Sequence, residues 1–245
     1  MCMASIKKFG GVKMKKIYLA LIVFISFIAC GMSMASAKGR NINNTNVIEV
    51  NVKGANVKLK KGKSDTIETK YYGKASDANY NLETKMDGNK YKITLNYTGS
   101  GIAPTIEEGG VIVKIPDDVC SLLCINGKEG AGIVLNEINF DTDIITESCA
   151  VIINDKNSSK KISILSMHDS YEINSVPITE DFHLKSIGSV VEYTFTEQPL
   201  NLEFKLTGGY AELPVGWSRN FSLGLGWPRM IVEVDNGIFE LSVNN

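Results

Sequence analysis

From Gly132 to the C terminus, apolar residues come in pairs two positions apart, and the pairs themselves recur. In the strand after each turn, the second apolar position is Leu135, Ile153, Ile173, Tyr193, Leu213 and Leu241, at steps of 18, 20, 20, 20 and 28. Two residues earlier stand Ile133, Val151, Tyr171, Val191, Ala211 and Phe239. Nine residues before the second position, from Ile153 on, lies another series: Ile144, Ile164, Leu184, Phe204 and Val232. Its own partners, two residues earlier, include Ile162, Phe182, Leu202 and Met230. A spacing of two places side chains on one face of a strand. Each unit therefore carries two short strands, separated by corners such as "DKNSSK", "PITED", "EQP" and "TGG".

A unit of this size cannot bury its apolar face alone, but stacked copies share a continuous core. The pattern predicts an all-β protein, a right-handed parallel β-solenoid or β-roll of about 20-residue coils. An antiparallel sandwich would also show short alternating strands, but it does not require a constant step. The step of 28 reads as one unit plus eight extra residues in the corner "PVGWSRNFSLGLGWPRM". Residues 111–245 are assigned to the repeats and 38–110 to a β-rich N-terminal region. In that region "VIEVNV", "NVKLKK", "TIETKYY", "YNLETKM" and "KYKITLNY" alternate, "MDGNK" carries a hairpin turn and "TGSGIAPTIEEGG" reads as a flexible loop.

The N terminus follows a different logic. Lysines precede thirteen residues, Ile17–Ala29, in which Ser26 is the only clearly polar member. That length suits a signal-peptide core and is short for a membrane span. Residues 1–37 are expected to be a signal peptide, cleaved after Ala35-Ser36-Ala37; translation could begin at Met1 or Met14. A lipoprotein signal ending before Cys30 is the alternative, with Cys30 lipidated. Either way the protein is expected outside the cytoplasm: secreted, periplasmic or on the cell surface. Without the five lysines of the leader, 21 basic residues face 27 acidic ones, a net of −6. A mildly acidic body with no basic stripe argues against nucleic acid as a partner. Membrane contact is expected only through a lipid anchor.

Candidate chemistry is sparse. In the repeat register, Glu172, Glu192, Glu212 and Glu240 share one outward column. Carboxylates spaced by one strand repel, which favours a cation or a cationic peptide between them; the alternative is a solvated face. The long corner holds Trp217, Arg219, Phe221, Trp227 and Arg229, residue types favoured at binding interfaces. The same loop could instead fold back and cap the end of the stack. His168 and His183 sit in no metal-like cluster, and neighbours in "MHDS" point to opposite faces of a strand, so this is no triad. Cys120, Cys124 and Cys149 read as small buried hydrophobes. No cofactor is expected.

The stretch Gly110-Val111-Ile112-Val113-Lys114-Ile115-Pro116-Asp117 resembles the strand and Ile-Pro-acid junction of the bacterial putative-adhesin family of unknown function. The rungs, Glu212-Leu213-Pro214 and the closing Asn236–Leu241 are similar to that family as well. Ser148-Cys149-Ala150 departs from it, standing where a glycine corner is usual. The resemblance spans about Val47–Val243 and implies an extracytoplasmic β-solenoid with no established catalytic residues. The function expected is a non-catalytic envelope protein: an adhesin-like binding or scaffold module for a cell-surface or envelope ligand, or an envelope sensor. The alternative is a polysaccharide-acting enzyme on a β-helix scaffold.

Overall fold

In the computed structural model, which describes residues 40–41, 45–117, 119–155 and 160–244, the alternating segments become strands. The N-terminal apolar segment, its cleavage signals and Cys30 lie outside the described residues. The strands begin with β1 (Arg40–Asn41), β2 (Val47–Lys53), β3 (Asn56–Lys61), β4 (Thr66–Gly73), β5 (Tyr80–Asp87) and β6 (Lys90–Tyr97). They continue with β7 (Gly109–Ile115), β8 (Leu122–Lys128), β9 (Gly132–Asn136), β10 (Asp141–Glu147), β11 (Ala150–Asp155) and β12 (Ile162–Met167). The last are β13 (Ser170–Ser175), β14 (Phe182–Ile187), β15 (Val190–Phe195), β16 (Leu202–Glu212), β17 (Asn220–Leu223) and β18 (Arg229–Val243). There is no helix among the described residues.

Most pairings are parallel and fall into two ladders. The first runs β6, β2, β8, β10, β12, β14, the first part of β18, then β16. The second runs β7, β3, β9, β11, β13, β15, the later part of β18, then the end of β16. From β10 to β15, paired residues stand 20 positions apart, as in Ile144–Ile164–Leu184 and Ile153–Ile173–Tyr193. These side chains point between the ladders and are buried, as are Phe182, Met230, Phe204 and Phe239. Antiparallel strands close the ends: β5 beside β6, β4 beside β7 and β17 beside β16. The predicted hairpin forms at Gly88-Asn89, with Asp87 opposite Lys90.

Three features differ from the sequence reading. The ladders begin well before residue 111, because β2 and β3 pair in register with β8 and β9. Strand order is exchanged at both ends: β2 lies between β6 and β8, and β18 lies between β14 and β16. The eight extra residues therefore belong to an excursion that lets the chain fold back inside itself. Finally, Phe204 is not the partner of Leu184. Leu184 pairs with Val232, which pairs with Leu206, while Phe204 pairs with Met230. The corner in β16 is cut short at Gly208-Gly209, both in the left-handed region at φ 72° and 54°. A Cβ on Gly208 would stand 2.1 Å from the Val234 carbonyl oxygen, so glycine permits the shortcut.

The ordinary corners explain why the turn phrase keeps returning. The first corner residue is left-handed in Gly54, Glu129, Ser148, His168, Gly188 and Asn236, all with φ between 52° and 62°. Such a conformation in a non-glycine residue costs about 1 kcal/mol or more, but here it extends the ladder through the turn. Ser148 N–H donates to Met167 O at 2.9 Å, His168 N–H to Ile187 O at 2.8 Å and Gly188 N–H to Asp235 O at 2.7 Å. Ser148 thus keeps the register without glycine. The next residue is buried in four of these corners, as Ala55, Cys149, Asp169 and Ser189. Buried Asp169 accepts from Cys149 N–H (2.6 Å), Met167 N–H (2.9 Å), Thr146 Oγ1 (2.8 Å) and Ser166 Oγ (2.8 Å). Its own N–H donates to Ser189 Oγ at 3.2 Å. The loop read as flexible is pinned: Asn56 Nδ2 donates to Pro104 O at 2.6 Å and the Tyr72 hydroxyl to Ile106 O at 2.6 Å.

Candidate functional site

The outward positions of the second ladder carry the glutamate column. Glu172 pairs with Glu192, Glu192 with Glu240 and Glu240 with Glu212. The four residues share a column, but their order follows the exchanged strands, with Glu240 between Glu192 and Glu212. Three are exposed and Glu240 is half-buried. Neighbouring carboxylates in register destabilise a pairing by a few tenths to about 1 kcal/mol. Side-chain donors relieve part of this: Asn174 Nδ2 donates to Glu172 at 2.9 Å and the Tyr210 hydroxyl to Glu212 at 3.1 Å. Lys185 and Lys205 belong to the other ladder, where Lys185 lies 3.8 Å from Glu233. Among the described residues no three His, Cys, Asp or Glu side chains converge as a metal-holding group; the column is a line.

The long corner divides into two parts with different work. Trp217 stacks on Phe221, with ring centroids 4.4 Å apart, and packs at 5.9 Å on Phe204. Phe221 sits on β17, opposite Phe204 on β16. Arg219 donates to the Gly208 and Gly209 carbonyls at 2.5 and 2.8 Å, and Leu206 N–H donates to Arg219 O. These three side chains cover the outer edge of β16, satisfying backbone groups that an edge leaves open. Arg229 is held elsewhere, by hydrogen bonds to Asp181 at 2.5 and 3.2 Å. Those bonds keep the Asp181 carboxyl below the usual carboxylate range.

Trp227 is the aromatic residue of the group left to solvent, at 53% exposure. It borders a groove of about 460 Å³ with Pro177, Ile178, Leu200, Leu225 and Pro228, and with Glu197 and Gln198 among the polar members. Leu200 and Leu225 are 84% and 91% exposed. Clustered large apolar groups in water mark interaction sites more often than scattered ones do. The two tryptophans should therefore separate in a stability measurement. Trp217→Ala is expected to lose about 3–5 kcal/mol in urea unfolding, and Trp227→Ala about 0.5 kcal/mol or less. Equal losses would show that the corner is one packed unit.

The cysteines are free, and Cys149 is buried. Burial pushes the Cys149 thiol up to about 11 and the Cys120 thiol up to about 12, which makes them poor nucleophiles. His168 occupies an exposed left-handed corner, and His183 lies on β14 beside Ser163 of β12. The sequence reading missed two features. One is the buried Asp169 network, whose only signal is an acid at a corner position held by Cys149 and Ser189 in neighbouring units. The other is a set of outward apolar residues on the first ladder, signalled by the doubled pairs Ile144-Ile145 and Ile164-Leu165 that break strict alternation.

No family model matches the chain, and no curated protein does. Two solved structures are similar in part. One is named a putative cell adhesion protein, from Clostridium sporogenes ATCC 15579, at 10% identity and a TM-score of 0.44, covering 86% of this chain and all of that one. The other is named a putative adhesin, from Bacteroides fragilis NCTC 9343, at 7% identity and a TM-score of 0.36, covering 87% and 98%.

Proposed function

We propose that this is an exported, non-catalytic envelope protein whose stack of strands serves as a rigid, adhesin-like scaffold for binding a cell-surface or envelope ligand. The architecture that goes with this reading is a right-handed β-solenoid of about 20-residue coils, since parallel strand connections are right-handed in about 98% of cases. The observation that carries it is Trp227, held half in solvent beside the exposed Leu200 and Leu225. Every lining residue lies in a connection between strands, and the strand ends of the stack set where those connections stand. Export rests on the leader: lysines, a thirteen-residue apolar run and Ala35-Ser36-Ala37.

Probing an array of glycans and peptides with the wild-type chain and with Trp227→Ala tests the reading. The wild type is expected to retain ligands that the variant loses by about tenfold or more, the scale of a removed aromatic anchor. Incubation of retained glycans should release no new reducing ends. Equal binding by both proteins, or accumulation of reducing ends, overturns it.

A further inference from the structure

We propose that the outer face of the first ladder, across β10, β12, β14 and β18, is a docking surface for a second copy of this chain, related by a two-fold axis along β12. Outward positions of a strand exposed to water are normally polar, and on the second ladder the apolar ones form two separate pairs, Val134 with Ile152 and Val190 with Ile238, divided by Ser170 and Glu172. On the first ladder four are contiguous, Ile145, Leu165, Met167 and Ile187, amid Asp143, Glu147, Ser163, His183 and Lys185, with Ile231 one strand further. Ile145 is 46% exposed, and the others are half-buried. Ile145, Leu165 and Ile231 border a shallow groove of about 320 Å³ that also carries Asp143, His183, Lys185 and Glu233.

Charge complementarity selects a second copy as the occupant. A two-fold interface must match itself, each residue meeting the symmetry mate of another. The register fixes the grid: Asp143, Ser163 and His183 share one outward column, and Ile145, Leu165 and Lys185 the next. Glu147, Met167 and Ile187 share the third, which continues to Lys128 on β8 and Asp235 on β18. An axis along β12 brings β10 over β14 of the second copy, and β8 over its β18, at unchanged strand position. Asp143 then faces His183 and Lys128 faces Asp235, each pair occurring twice, while Leu165 and Met167 meet their own mates. Ile145 meets the aliphatic stem of Lys185, whose ammonium lies 3.8 Å from Glu233. An axis running across the strands would instead set Asp143 against Glu147 and Lys185 against its own mate. The first arrangement joins Lys128 to Asp235 and Asp143 to His183 around Leu165 and Met167, with Glu147 left over Ile187 at its margin, whereas the second joins no opposite charges. Two sheets packed this way lie about 10 Å apart, a distance that Leu and Met side chains fill.

Sedimentation equilibrium of the purified chain should give twice the chain mass, with dissociation in the micromolar range or tighter. Leu165→Asp should give a monomer with an unchanged far-ultraviolet circular dichroism spectrum, because the side chain points away from the core. Lys128→Asp and Asp235→Lys should each weaken association by about tenfold or more, and together restore it, as expected of a charge pair read across an interface. A wild-type chain that stays monomeric at about 100 µM, far above a micromolar Kd, overturns the proposal. So does a dimer indifferent to Leu165→Asp, or a charge exchange that fails to rescue. A monomer that adsorbs to vesicles or captures another protein through this face would also overturn it. Trp227 lies outside this face, so the binding role of its groove stands or falls separately.

Discussion

A chain ending at Pro228 is expected not to fold cooperatively, although it keeps 17 of the 18 strands of the described residues. The missing β18 is not a tail. It occupies the layer between β14 and β16 in one ladder and between β15 and β16 in the other. It brings Met230, Val232, Val234, Phe239 and Leu241 into the core, all at 4% exposure or less. Burying one such side chain contributes about 1.5–3 kcal/mol, so five of them rival the entire stability of a typical domain, about 5–15 kcal/mol. Without β18, β16 and β17 also lose the surface on which they rest. The single substitution Phe239→Ala gives a graded version, expected to lower stability by about 3–5 kcal/mol in urea unfolding. A truncated chain with an intact, sharp unfolding transition would show that the stack ends at β15 and that the closing strands are accessory.

The second large effect is expected at Asp169. Replacing it by alanine leaves the Cys149 and Met167 amides and the Thr146 and Ser166 hydroxyls without the acceptor they share. Each buried donor without a partner costs about 1–3 kcal/mol, so the sum should reach about 3 kcal/mol or more even after local rearrangement. Asp169→Asn keeps the shape and one carbonyl oxygen but turns two hydrogens toward existing donors, so its loss should be intermediate. The urea midpoints should rank wild type, asparagine, alanine. An alanine variant within about 0.5 kcal/mol of wild type would mean that water replaces the carboxylate at no cost.

The sequence made some of this legible and concealed the rest, for identifiable reasons. The step of 20 from Ile144 to Tyr193 announced parallel pairing, because side chains stacked layer on layer must match in class. The same count could not reveal strand exchange. Glu212 and Glu240 share a column whether β16 or β18 lies inside, so periodicity is silent on order. It also misplaced Phe204, since a two-residue shortcut at Gly208-Gly209 shifts one ladder and not the other. The early strands escaped the repeat because their connections vary in length, notably the long loop before β7, while their register is as regular as the rest. At the long corner, residue type alone could not divide Trp217 from Trp227. Packing against Phe204 and Phe221 decides which tryptophan is structural.

Because both closing layers are built by going out and folding back, the protein has a fixed beginning and end but an indifferent middle. A duplicated segment such as residues 162–181, placed after Asp181, would meet a floor and a ceiling already shaped to receive it, and both closures would carry on unaltered. Copies added at either terminus would find no open layer to join. Variation in the number of repeats is therefore expected between β10 and β15 and nowhere else, which lets such a molecule lengthen without redesigning its ends.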